Sequence, residues 1–241
     1  MHYIRNYAFF WIGLDVKIPQ FLVNSIKHSY NDDVNIYFLT DKKTPDINGV
    51  THTIRKKLSD NIMIARLESY GNLNINKQLM FLDADSLVLR KFEGLTTDEP
   101  LILFRRKKEG HIINHKYPEL YPEFENKTFD LMMPFLFGAI ISNKNESSNI
   151  FYELLEIAKN LPERFHRWYG DQYALKIAVD KKLFKFIEYE FTDFIDIVRY
   201  ENDLKRIDKP IITFKGPKSK LLIEIIYKYL TNSANQSKKS N

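Results

Sequence analysis

Residues 78–90 read Gln-Leu-Met-Phe-Leu-Asp-Ala-Asp-Ser-Leu-Val-Leu-Arg, and the fold turns on this stretch. Four apolar residues, Leu79 to Leu82, end in two acids one residue apart, Asp83 and Asp85, and a second apolar run, Leu87 to Leu89, follows at once. A run this short with polar flanks suits a strand buried on both faces. Side chains two apart in a strand point the same way. The two carboxylates therefore aim at one point beyond the strand end, the edge where ligands bind in open α/β sheets. Adjacent carboxylates repel unless a cation joins them, and a hard, oxygen-preferring divalent ion is the natural choice.

Outward from this stretch, strands and helices alternate. Residues 7–12 read as a first strand. Ile18 to Ser29 reads as a helix opened by Pro19, with Phe21, Leu22, Ser25, Ile26 and Ser29 on one face. Val34 to Leu39 is a second strand, closed by Thr40 and Asp41, and Val50 to Ile54 is a third. A helix over Asp60 to Tyr70 starts at Ser59 or Asp60 and stops at Gly71. Such alternation predicts a mostly parallel sheet with helices on both faces. The second half is more mixed. Strands are expected at 101–104, 137–142, 184–189, 193–198 and 210–214, and helices at 146–160, 170–180 and 219–230. Residues 105–134 read as a long, proline-punctuated loop. One α/β domain over 1–230 is expected, with a disordered polar tail over 231–241.

Composition narrows the function. Of 241 residues 44% are hydrophobic, including 18 Phe and 14 Tyr, enough to fill a proper core. The absence of cysteine excludes disulfides and thiolate metal sites, and fits a reducing, cytoplasmic setting. The net charge of +5 favours anionic small molecules or a membrane surface. It is too small and too dispersed for nucleic acid, and no basic-aromatic nucleic-acid module is present. No apolar run approaches a membrane span, and Tyr7 to Gly13 is too short and poorly flanked for a signal peptide. In the last helix Lys220, Glu224 and Lys228 form one polar stripe on an otherwise apolar cylinder. Such a helix docks on the core, contacts a second copy in a homodimer, or lies on the inner face of a membrane.

Four further segments fit the acid pair. Asp41 closes the second strand at the same expected edge. Met63, Arg66 and Tyr70 share a helix face, and a buried Arg there needs an anionic partner. Trp168-Tyr-Gly-Asp-Gln-Tyr-Ala-Leu175 places Asp171 and Gln172 at a helix start, where an acid also serves as a cap. Ile212-Thr-Phe-Lys-Gly-Pro-Lys218 sets Gly216 between Lys215 and Lys218 after a short strand. Backbone can approach a phosphate closely at such a glycine, and the lysines supply charge. Arg105-Arg-Lys-Lys108 reads as a solvated loop, with a phosphorylated acceptor or anionic lipid as its functional alternative. His111 and His115 have zinc-helix spacing but lack the glutamate of a metalloprotease motif.

Taken together, these segments resemble the GT-A fold glycosyltransferases that carry a DxD motif, in particular family 8 and related bacterial sugar transferases. The resemblance rests on Phe81-Leu-Asp-Ala-Asp-Ser-Leu-Val88, Met63-Ile-Ala-Arg66-Leu67, Gly138-Ala-Ile-Ile141, Gly170-Asp171-Gln172 and Phe214-Lys215-Gly216-Pro217-Lys218, in the family's order. It implies a Rossmann-like sheet with a small mixed second sheet. Asp83 and Asp85 would hold Mn²⁺ or Mg²⁺ against the diphosphate of a nucleotide sugar, most simply a UDP-sugar. Asp41 would lie near base and ribose, and Arg66 near the donor sugar or phosphate. Asp171 and Gln172 would face the transferred hexose and a carbohydrate or lipid-linked acceptor. Lys215, Gly216 and Lys218 would close over the diphosphate. Two positions depart from the family: Thr213 stands where a third metal ligand, His, is usual, and Leu136 where Asn is usual. Retention follows from the family likeness, inversion if Asp171 is a general base. A sugar-phosphate nucleotidyltransferase, a dehalogenase-type phosphatase and a non-catalytic nucleotide- or glycan-binding module are the rival readings.

Overall fold

The first strand, β1 (Asn6–Phe10), is buried along its whole length and sorts its side chains between two layers. Tyr7 and Phe9 meet Leu22, Val23, Ile26 and Tyr30 of the first helix, α1 (Lys17–Tyr30), whereas Ala8 and Phe10 join a separate cluster on the opposite face. This two-sided burial is what a central parallel strand requires. The computed structural model describes residues 3–31, 33–95, 97–107, 113, 121–143, 146–216 and 222–227.

The main sheet has seven strands in the order β3 (His52–Arg55), β2 (Asn35–Thr40), β1, β4 (Leu79–Asp83), β7 (Phe135–Ser142), β6 (Leu101–Arg105) and β8 (Phe186–Glu190). It is parallel except at β7, which runs against both of its neighbours. The chain moves outward from β1 through β2 and β3, then returns to the other side of β1 as β4. The switch point therefore lies between β1 and β4, and Phe10 is flanked there by Leu39 and Asp83. A second, mixed sheet has the order β5 (Ser86–Val88), β10 (Ile211–Phe214), β9 (Ile195–Val198). Val88, Ile195 and Ile211 pack on the α1 face of the main sheet. The opposite face is covered by α2 (Ile62–Gly71), α4 (Glu146–Lys159) and α6 (Gly170–Asp180), through Leu67, Tyr70, Leu154, Ala174 and Leu175.

The expected α/β architecture is present, with local differences. The first strand stops at Phe10, not at 12, because Gly13 turns the chain at φ 148° and the Trp11 indole N–H donates to the Asp15 carbonyl. The long loop contains a short 3-10 helix at Pro122–Phe124 and the single-turn α3 (Phe129–Met132). Pro162 leads into α5 (Glu163–Arg167), a helix too short to leave a periodic signal. Phe124, Met132 and Phe165 knit these pieces into a satellite apolar cluster. The helix at 222–227 docks Ile223 and Ile226 on the second sheet, against Leu87, Ile212 and Phe214. Among the described residues no helix is long and apolar enough to cross a membrane. His111, His115, Lys108, Lys218, Lys220, Lys228 and the tail over 231–241 lie outside the described residues.

β7 is irregular where it passes the switch point. Phe135 and Phe137 face the α2–α4–α6 side, and so does Ile140, while Leu136, Ala139 and Ile141 face the other way. Alternation therefore slips by one residue around Gly138. The pairing with β6 slips at the same place, from Leu103 opposite Ile140 to Arg105 opposite Phe135. This is a β-bulge, a device that re-aims side chains beside functional sites.

Candidate active site

Asp83 is the last residue of β4 and Asp85 lies in the turn to β5. The register Leu82 to Ala139 brings Asp83 across from Gly138. A Cβ at Gly138 would lie 2.1 Å from Asp83 Oδ2, so the bare glycine makes room for the carboxylate. The carboxylate is held from two directions. Arg66 Nη1 donates to Oδ1 at 2.8 Å, and Lys215 Nζ donates to Oδ2 at 2.7 Å. The same ammonium lies 3.7 Å from Asp85 Oδ1. The two acids thus converge on one cation, which reaches them from a segment 132 positions away in sequence.

Lys215 is delivered by the second sheet. Thr213 pairs with Ser86, the Phe214 N–H donates to the Asp85 carbonyl at 3.0 Å, and the Lys215 N–H donates to the Val198 carbonyl at 3.0 Å. Gly216 follows at φ 97°, a left-handed conformation that favours glycine, and among the described residues nothing lies within 4 Å of where a Cβ would be. Burial pulls the Lys215 ammonium down, but Asp83 and Asp85 outweigh it and hold it above the ordinary lysine value.

Arg66 joins the acid pair to Asp171. The guanidinium lies 4.8 Å over the Phe137 ring, and its second nitrogen, Nη2, is ion-paired with the Asp171 carboxylate. Asp171 is wholly buried at the start of α6, and its Oδ1 accepts the Gln172 N–H at 2.7 Å. Its carboxylate therefore serves Arg66 and the helix start rather than solvent. The close approach of α6 depends on Gly170, whose Cβ would strike the Phe165 carbonyl at 2.2 Å. Tyr70, next along the Arg66 face, stacks near Phe81 and Phe137, and burial pushes its hydroxyl well above the ordinary tyrosine value.

Gln172 has a partner that a local reading of the sequence misses. Arg106 donates through Nη2 to Gln172 Oε1 and through Nε to the Met133 carbonyl, each at 3.0 Å. The basic run read as a solvated loop thus sends one of its members into the site. The available signal was position: Arg106 lies one residue past β6, whose carboxyl end shares the sheet edge of Asp83. Asp41 also sits at that edge, but its Oδ1 is occupied locally. It accepts the Thr44 hydroxyl at 2.7 Å and the Thr44 and Lys43 N–H groups at 2.8 and 3.0 Å, and the Thr44 hydroxyl leads in holding the carboxyl below its usual range. Leu136 is buried in the apolar core on the α1 side.

Among the described residues no cluster of three or more His, Cys, Asp or Glu surrounds one point. Two carboxylates nonetheless suit a hard divalent ion, and the hydroxyl of Thr213, which pairs with Ser86 just past Asp85, is buried with no hydrogen-bond partner among the described residues. Thr213 and Lys215 are two apart, on one side of the strand line.

No protein-family model and no curated protein matches the chain. Solved structures do. A galactosyltransferase, LgtC, in complex with donor and acceptor sugar analogs has a TM-score of 0.57 and 14% identity, covering 95% of each chain. The apo-form glycosyltransferase GlyE of Streptococcus pneumoniae TIGR4 has a TM-score of 0.58 and 14% identity, over 98% of this chain and 64% of that one. A glycosyltransferase involved in glycosylation of the major capsid of PBCV-1 has a TM-score of 0.53 and 12% identity, over 91% of this chain and 99% of that one. Identities this low speak to architecture alone. In its order of strands, its second mixed sheet and its flanking helices, the chain has the GT-A fold of these glycosyltransferases.

Proposed function

We propose that the chain is a glycosyltransferase that moves a hexose from a nucleotide sugar, UDP-linked, to a carbohydrate or lipid-linked acceptor. One observation carries the reading: Asp83 and Asp85 converge on a cation at the switch-point edge of a GT-A sheet. Asp83 and Asp85, with the Thr213 hydroxyl, are the residues that would hold Mn²⁺ or Mg²⁺. Such an ion supplies positive charge to the diphosphate as it leaves. The chain's own contribution is positional and electrostatic. Leaving-group oxygens gain negative charge as the sugar becomes oxocarbenium-like, and Lys215 stands ready beside them. Gly216 lets backbone approach a phosphate without a Cβ in the way.

Arg66 fixes Asp83 and Asp171 relative to each other. Asp171 is a positioning residue in this reading. A carboxylate with no exposed surface and an arginine partner is badly placed to take a proton from an acceptor, which favours retention over inversion. Gln172, oriented by Arg106, is the group directed to the transferred sugar. The solved structures with this fold include an active-site glutamine-to-glutamate mutant of LgtC.

The test is a melting-temperature panel of UDP, GDP and CDP and their sugars, with and without Mn²⁺. A ligand at about 100 times its dissociation constant adds about 2.7 kcal/mol to stability. The expected result is a rise that requires one nucleotide together with the metal. No rise with any member of the panel would count decisively against a nucleotide-sugar enzyme.

A further inference from the structure

Lys215 occupies a position with two competing uses. Its ammonium is 2.7 Å from Asp83 Oδ2 and 3.7 Å from Asp85 Oδ1. A divalent ion held by Asp83 and Asp85 would need to sit beside the same oxygens that the ammonium now reaches. Two cations do not share that place, for reasons of volume and of like charge. We infer that Lys215 is a built-in counter-ion of the acid pair, so that lysine and divalent metal exclude each other and the metal enters when a nucleoside diphosphate draws the lysine side chain away. The inference rests on the transferase reading for the diphosphate, but not for the competition itself.

The surroundings favour a moving side chain on a fixed backbone. The Lys215 N–H is bonded to Val198 and the preceding N–H to Asp85, so the main chain is pinned on both sides. The side chain is about one-third exposed, at 30%, and among the described residues nothing lies within 4 Å of a Cβ built at Gly216. Its four-carbon stem can swing without disturbing β10. Asp83 does not follow, because Arg66 holds its other oxygen. Charge supplies the drive. Asp83 and Asp85 face Arg66 and Lys215, and Arg106 lies near enough to Lys215 to oppose its charge. The acid pair itself repels a diphosphate, and the lysine is the cation that can turn to meet it. A lysine that leaves the acids for the phosphates does both at once: it vacates the ion's place and neutralises the ligand. In the resting protein it keeps the paired acids from repelling each other.

The test is a Mn²⁺ titration of the full chain, followed by the electron paramagnetic resonance signal of the free ion, with no nucleotide present. Lys215→Met keeps the length of the side chain and removes its charge. It is expected to bind Mn²⁺ about tenfold or more tightly than the parent, while Lys215→Arg stays as weak as the parent. UDP is expected to tighten Mn²⁺ binding to the parent by about tenfold or more, and by less in Lys215→Met. Should methionine prevent folding, judged by circular dichroism, Lys215→Gln carries the same comparison. Equal or weaker Mn²⁺ binding by the neutral variant would overturn the proposal, as would no binding by either protein at millimolar ion. Failure of UDP to bind with Mn²⁺ would instead strike at the transferase reading, and leaves the metal-only comparison intact.

Discussion

Replacing Gly138 by alanine puts the smallest side chain at the most crowded point of the site. The new Cβ would lie 2.1 Å from Asp83 Oδ2 and 2.4 Å from its Cγ, whereas ordinary contact begins near 3.4 Å. The carboxylate must therefore retreat by roughly 1.3 Å. The Lys215 bond to that oxygen starts at 2.7 Å, so a retreat of that size away from the ammonium takes it beyond hydrogen-bond reach. Breaking one side of a buried ion pair costs about 3–5 kcal/mol. Asp83 and Lys215 side chains are 18% and 30% exposed, and water recovers part of the loss, so about 2–3 kcal/mol is the expected cost. For a chain of this size that lowers the melting temperature by roughly 5–10 °C. The assay is thermal or urea unfolding of Gly138→Ala, alone and in an Asp83→Ala background, with donor turnover measured in parallel. The clashing atoms are absent from Asp83→Ala, so most of the penalty should vanish there. A Gly138→Ala protein as stable and active as its parent, or a penalty unchanged when Asp83 is already gone, would refute the reasoning.

Other perturbations separate holding from contact. Asp171→Asn removes the buried partner of Arg66 and should cost about 2–4 kcal/mol in urea unfolding. Arg66→Met should cost less in that background than alone, by about 1–3 kcal/mol, and strict additivity would mean that the two do not act as a pair. Gln172→Ala should lower kcat by roughly 100-fold or more while changing the melting temperature little, and Arg106→Ala should lower kcat in the same direction. If Gln172→Ala costs stability and spares turnover, Gln172 is a helix residue and not a site residue. Asp41 tests the edge loop by pH. Its carboxyl titrates lower in the folded chain than in the unfolded one, led by the Thr44 hydroxyl. The stabilisation is therefore complete above the unfolded value of about pH 4 and is lost as pH falls through the lower, folded one. The stability advantage of the parent over Asp41→Asn should shrink across that acid window, and an advantage that grows on acidification would reverse the assignment.

The parts of this protein legible from sequence are those written in short-range patterns. The apolar run before Asp83, the alternation of strands and helices to residue 90, and the shared face of Met63, Arg66 and Tyr70 depend on periods of two and 3.6 residues. A reader of the chain can therefore place the acid pair at a sheet edge and expect helices on both faces. Short elements such as α5 escape, because five residues hold too little periodicity. The segments that gather around Asp83 were legible one by one, but the contacts between them were not. That Arg66 spans Asp83 and Asp171, that Arg106 turns inward to Gln172, and that Gly138 is bare because a carboxylate lies against it all depend on segments far apart in the chain. So does the ammonium of Lys215 between the two acids. Hydrophobic periodicity is a local property and survives in the string of residues. Which charge neutralises which is decided by distance through space, and only the packing of the second sheet against the first brings Lys215 within reach of Asp83 and Asp85.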